Sequence, residues 1–183
     1  MNKKIFAGIA EGFEEMELIT VVDLAKRLNI EVVLAALGDK LQVTGAHQIK
    51  IECDKLLQEI DINEFDGIFL PGGMPGSLNL YESSEVGEIL KAMNQAQKMV
   101  AAICAAPMVL AKNGLLTGRK FTMYPGMDEY CHGEVYSDDL VVTTQNILTG
   151  KGPGAAAELG FAIGEYFGLT SQVASLRKAM FIK

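Results

Sequence analysis

Cys104 stands in AAICAAPM, directly after the wholly apolar run Met99 to Ile103. This order predicts a thiol at a strand-to-helix junction, where the small alanines permit a tight turn and Pro107 suits an early helical position. A thiol at a helix N-terminus faces unpaired N–H groups and the positive end of the dipole, which favours its thiolate and lowers its pKa. The other reading of the same residues is a buried cysteine packing as a small hydrophobe. The local sequence leaves both open.

Glu17 belongs to EGFEEMEL, at the start of an expected helix. An acidic residue there can simply complement the helix dipole, and that reading suits Glu11, Glu14 and Glu15. Met16 and Leu18 flank Glu17 and would draw its carboxyl toward an apolar pocket, where it stays protonated and donates a hydrogen bond. A neutral carboxylic acid beside a thiolate is a workable acid–base pair. Gly72 and Gly73 in FLPGGMPG read either as a plain turn or as backbone N–H groups turned toward an oxyanion near Cys104. GGMPG is neither a dinucleotide fingerprint nor a P-loop. GKGPG reads as a helix entry at which Lys151 offers charge to an anion.

His47 lies in a polar excursion and His132 in the loop YCHGE; neither follows a core strand, and both read as surface histidines. Cys53 and Cys131 read as non-catalytic thiols. Three widely spaced cysteines without a C-x-x-C pair, beside only two histidines, argue against a disulfide framework and a structural zinc site. No metal and no cofactor is expected.

The elements that must position these groups follow from hydrophobic periodicity. Strands are predicted at Lys3 to Ile9, Ile30 to Leu37, Asp66 to Leu70, Met99 to Ile103, Lys120 to Tyr124, Leu140 to Thr144 and Ile147 to Thr149. Helices are predicted around Leu18 to Leu28, from Asp54 as cap to Ile60, from Ser83 or Ser84, at Ala105 to Asn113, at Ala155 to Phe167 and at Ser171 to Met180. A short antiparallel excursion around Thr44-Gly45 is expected between Leu41 and Ile51. Buried strands alternating with helices predict an α/β domain, a doubly wound, mostly parallel sheet with helices on both faces. In such a sheet ligands bind outside the carboxyl ends of the strands, near the point where strand order reverses. Glu17, Gly72, Gly73 and Cys104 all follow predicted strands and converge on that edge.

With 183 residues, 49% of them hydrophobic and 21% charged, one domain spanning 1–183 is expected and disorder is excluded. Sixteen Lys and Arg against 23 Asp and Glu give a net charge of −7 without a basic run, which argues against nucleic acid as a partner. The longest apolar stretches, Met99 to Cys104 and Pro107 to Ala111, are far below a membrane span. MNKKIFAG runs straight into acidic residues without a targeting signal, so a cytoplasmic protein is expected.

Taken in order, EGFEEMEL, FLPGGMPGSLNL, AAICAAP and GKGPG resemble the ThiJ/PfpI family, also called the DJ-one family, over nearly the whole chain. The resemblance implies a flavodoxin-like fold, a homodimer, Cys104 as the elbow cysteine, Glu17 as the protonated glutamate that hydrogen-bonds it, and an oxyanion pocket from Gly72, Gly73 and the backbone at Ala105. Ala105 stands where protease-like members carry a histidine, which argues against peptidase chemistry. Tyr124 stands where other members place a histidine before a proline, and His47 falls near a pocket-mouth arginine of relatives. Cofactor-independent glyoxalase members imply a small-molecule carbonyl substrate, methylglyoxal converted to lactate. Deglycase activity, oxidation sensing or chaperone action through Cys104, and a thiamine-precursor role are the other functions the family suggests.

Overall fold

The computed structural model describes residues 2–131 and 135–182. From Lys4–Ile9 (β1) the chain passes to Glu15–Arg27 (α1) and Glu31–Ala36 (β2), then through Gln42–Thr44 (β3), Lys50–Glu52 (β4) and Lys55–Leu56 (β5). Gly67–Leu70 (β6) leads to helices Gly76–Glu82 (α2) and Ser84–Gln95 (α3), and Met99–Ile103 (β7) to Pro107–Lys112 (α4). Lys120–Phe121 (β8) pairs with Val135–Tyr136 (β9), Val141–Thr144 (β10) turns back into Ile147–Gly150 (β11), and Ala156–Tyr166 (α5) and Thr170–Ala179 (α6) follow.

The main sheet has the order β10-β11-β7-β6-β1-β2-β5, parallel throughout except for the β10–β11 hairpin at one edge. Residues alternate between two cores, as the two-residue period of a strand requires. Ile5, Ala7, Ile9 and Phe69 pack with Leu18, Val21 and Leu24 of α1 and Phe161 and Ile163 of α5. Phe6, Ile68, Leu70 and Val100 face Val86, Leu90 and Met93 of α3 and Met108, Val109 and Leu110 of α4. Both faces of β1, β6 and β7 are therefore covered, which explains why these strands read as continuous apolar runs. This is the single-domain, flavodoxin-like α/β arrangement that the motifs implied.

Four local expectations differ from the structure. Asp54 does not open a helix: its carboxylate accepts the Leu34 N–H at 2.8 Å and its own N–H reaches Leu34 O at 2.9 Å, so the chain continues as edge strand β5 before a 3-10 turn at Leu57–Glu59. The strand predicted to Tyr124 stops at Phe121 and lies outside the main sheet. The helix expected from Ala105 begins only at Pro107. Helix α2 carries no strong apolar period in GSLNLYE and was not expected. The 41–51 excursion is a β3–β4 hairpin with Val43 opposite Ile51.

Just beyond β8 a side chain ties the chain to the sheet. The buried Thr122 N–H donates to Thr149 Oγ1 at 2.9 Å. Thr149→Val keeps the shape and leaves that N–H without a partner. The expected loss is about 1–3 kcal/mol in urea unfolding, from the desolvation of an unpaired buried donor.

Candidate active site

Strand order reverses at β1, from which the chain first moves outward to β2 and later returns to place β6 on the other side. The carboxyl ends of β1 and β6 thus flank the crevice that doubly wound sheets use for ligands. Glu17 follows β1, Gly72 and Gly73 follow β6, and Cys104 follows the neighbouring β7.

Glu14 caps α1 with extended backbone, and its Oε2 accepts the Glu17 N–H at 2.7 Å. In a reciprocal capping box the residue at Glu17 would bond back to the cap N–H. Here the Glu14 N–H goes to Gly72 O at 2.9 Å, and Glu17 turns inward so that Oε2 accepts the Gly72 N–H at 2.8 Å. Glu17 is fully buried, and its Oε1 has no hydrogen-bond partner among the described residues. A Cβ on Gly72 would lie 2.6 Å from Cys104 Cβ, 2.6 Å from Glu17 Oε2 and 2.8 Å from Ile103 O, so Gly72 is the gap through which carboxyl and thiol approach.

Cys104 adopts φ +63°, a conformation L side chains rarely take, at a cost of about 1–3 kcal/mol. Two backbone bonds hold it there: its N–H donates to Gly150 O and its carbonyl accepts the Tyr124 N–H, both at 2.9 Å. The turn projects the thiol toward Glu17 and toward the N–H groups of Gly73 and Ala105, which favour its thiolate.

Burial pushes Glu17 up to about 7 and the nearby Glu14 charge adds to this, against the Cys104 and Gly72 hydrogen bonds. Burial, and then the Glu17 charge, push Cys104 up to about 12. This reverses the lowering expected from a helix N-terminus, because α4 starts three residues after the buried sulfur and a carboxylate stands beside it. The two groups resist being negative together, so they titrate as a unit holding one proton over a wide pH range. The upward push of Glu17 on the thiol exists only while Glu17 is ionised. With the proton on the unpartnered Oε1, the thiolate keeps the Gly73 and Ala105 N–H groups and loses the repulsion.

Tyr124 meets Cys104 through its backbone, whereas its half-exposed ring leans on Gly152, at 3.3 Å from where a Cβ would stand. His47 contacts Glu15 and Glu14 at the hairpin. The structure thus brings together Glu17, Gly72, Gly73, Cys104 and Ala105, while His47 and the Tyr124 ring stand apart from that group. Cys53 is buried and pushed up to about 12 by burial with Asp54 and Glu52. Cys131 lies 3.6 Å from the Met123 sulfur. The Lys151 ammonium pairs with Asp138. His132 lies outside the described residues. Sequence reasoning missed the Gly150 carbonyl, whose partner is set by β7–β11 pairing, and it assigned Glu14 and Glu15 to the helix dipole. The E-x-x-E spacing of Glu14 and Glu17 was the available signal for the cap.

Fold and site define an α/β protein with a strained cysteine turn facing a buried carboxyl. The chain belongs to the DJ-1/PfpI family, whose model matches residues 3–166. It is 36% identical over 184 residues to Protein dj-1beta of Drosophila melanogaster, covering 100% of this chain and 98% of that protein. It is 37% identical over 165 residues to Protein DJ-1 homolog B of Arabidopsis thaliana, covering 90% of this chain but only 38% of that longer protein. The crystal structure of Drosophila melanogaster DJ-1beta superposes with a TM-score of 0.95, covering all of both chains at 36% identity. The structure of oxidized Toxoplasma gondii DJ-1 gives 0.93, at 29% identity over 98% of each chain. Among the described residues no helix is long and apolar enough to cross a membrane.

Proposed function

We propose that this protein is a cysteine-dependent, cofactor-independent enzyme of small reactive carbonyls that converts methylglyoxal to lactate in the cytoplasm. The observation that carries the reading is the buried Glu17 carboxyl, with Oε1 unpartnered, beside the Cys104 turn. The thiolate attacks the aldehyde carbon, and the oxygen takes a proton to give a hemithioacetal; the Gly73 and Ala105 N–H groups lie beside the sulfur where the oxyanion develops. Glu17 as carboxylate removes the proton from that carbon and returns it to the adjacent carbonyl carbon, which isomerises the adduct to a 2-hydroxy thioester. Water then releases the hydroxy acid and restores the thiol. The protein incubated with methylglyoxal is expected to yield lactate, and Cys104→Ala to fall to the uncatalysed background. Wild-type turnover no greater than that of Cys104→Ala would sink the reading.

Oxidation sensing is the second reading, favoured by the same free Oε1, which as a protonated carboxyl can donate to an oxidised sulfur. Mass spectrometry after mild peroxide is expected to find Cys104 oxidised first; earlier oxidation of Cys53 or Cys131 would overturn it. We further propose a homodimer through the exposed apolar Met16 and Ile19 of α1 and Ile49 of the hairpin. Light scattering should give twice the 19.8 kDa chain mass, and Met16→Glu the single mass.

A further inference from the structure

We propose that Glu15 and His47 are a positioning pair that clamps the β3–β4 hairpin onto the loop carrying Glu17 and makes Cys104 reactivity respond to the charge on His47. The inference rests on the Cys104–Glu17 pair of the preceding reading and is independent of the substrate.

The clamp is built around one buried carboxylate. Glu15 Oε1 accepts the backbone N–H of His47 at 2.7 Å and of Ile49 at 3.4 Å, and Oε2 lies 2.8 Å from His47 Nδ1. The hairpin tip closes tightly over it, since a Cβ on Gly45 would fall 2.2 Å from Glu15 Oε1. The loop before α1 is tied to the same hairpin by Gly12 N–H to Thr44 O and Ala46 N–H to Phe13 O, both 2.8 Å, and by Thr44 N–H to Glu11 Oε2 at 3.1 Å. Moving the hairpin therefore moves the residues that launch Glu17.

The electrostatic link runs through Glu14. Its Oε1 stands 3.9 Å from His47 Nδ1, while its Oε2 holds the Glu17 N–H. The groups facing the imidazole from the loop and α1 are Glu14 and Glu15, beyond which lie Glu17 and Cys104; Glu11 bonds the hairpin at Thr44, and Lys50 and Glu52 belong to the hairpin itself. Glu15 bonding favours the imidazolium, and hydrogen bonds from His47 and Ile49 outweigh burial to hold Glu15 below the usual carboxylate range. A charged His47 offsets the Glu14 field. When His47 loses its proton, that field acts fully on Glu17, which then holds its own proton more tightly.

The test is the pH profile of iodoacetamide alkylation of Cys104, followed by mass spectrometry in a Cys53→Ala, Cys131→Ser background. His47→Gln, which keeps a donor without the charge, is expected to move the Glu17-dependent step to higher pH by about 0.3 pH unit and to speed alkylation above that step about twofold, an effect that fades at high salt. His47→Arg, permanently charged, is expected to move the step to lower pH. Shifts of the two variants in the same direction, or unchanged profiles in both, overturn the inference. Opposite shifts are not produced by mere loosening of the hairpin, which thermal unfolding of each variant reports separately. A wild-type profile identical to that of Glu17→Gln instead overturns the Cys104–Glu17 pair itself, and the inference with it.

Discussion

Glu17→Gln is expected to erase the step near pH 7 in Cys104 alkylation and to speed alkylation at pH 8 by about tenfold, because the plateau that an ionised Glu17 imposes above its own titration is gone. In the wild type the pair loses one proton around the Glu17 value of about 7, after which a fraction of molecules carries thiolate beside a neutral carboxyl. Glutamine can still accept the Gly72 N–H but cannot pass a proton. Its neutrality also removes the Glu17 repulsion that helps push Cys104 to about 12. The variant thiol should therefore titrate in a single rise between about 7 and about 12. A variant that retains the wild-type step would show that another group titrates there.

The same substitution changes stability with a definite sign. Glu17 has a folded pKa of about 7 against an ordinary value of 4.5, so the native state binds the proton more tightly than the unfolded chain. Its contribution is fully present below pH 4.5 and is lost as pH rises through about 7, a change on the order of 3 kcal/mol. Urea unfolding at pH 4.5 and pH 8 should show this loss in the wild type and a smaller one in Glu17→Gln. An equal change in both would separate the pH dependence from Glu17.

Gly72→Ala is the second large effect. The new methyl would meet Cys104 Cβ and Glu17 Oε2 at 2.6 Å and the backbone oxygen of Ile103 at 2.8 Å, two of which belong to or adjoin rigid main chain. Overpacking of this kind costs about 1–3 kcal/mol and more where backbone must move, so at least about 3 kcal/mol is expected in urea unfolding. The displaced carboxyl should also lose its Gly72 bond, abolishing the alkylation step. Gly154→Ala is the control, because a Cβ there meets nothing within 4 Å. Equal stability of the two variants would remove Gly72 from the site.

Much of this arrangement was legible in the sequence for a local reason. Strands buried on both faces, such as Gly67–Leu70 and Met99–Ile103, announce themselves as short apolar runs, and residues just beyond them must emerge on one edge. That rule puts Cys104, Gly72 and Gly73 at the edge, and the apolar neighbours Met16 and Leu18 single out Glu17 among the glutamates there. Asp54 was misread because a capping residue and a residue bonding across to Leu34 have the same local signature, and only the neighbouring strand decides between them. Helix α2 was missed because α4 and the glycine turn, rather than its own periodicity, hold it.

What the sequence determined by itself was therefore the class of fold, the edge of the sheet where chemistry is placed, and the residue types delivered there. Only the tertiary structure decided their protonation. The thiol, for which the local sequence leaves an acidic and a buried reading open, is buried beside Glu17, and its turn of backbone at φ +63° is held by Gly150 and Tyr124, residues 46 and 20 positions away along the chain. Burial and charge proximity depend on which distant segments close over a group, and neither has a local sequence signature. The same holds for His47, which reads as an isolated surface histidine until the hairpin folds it onto Glu15.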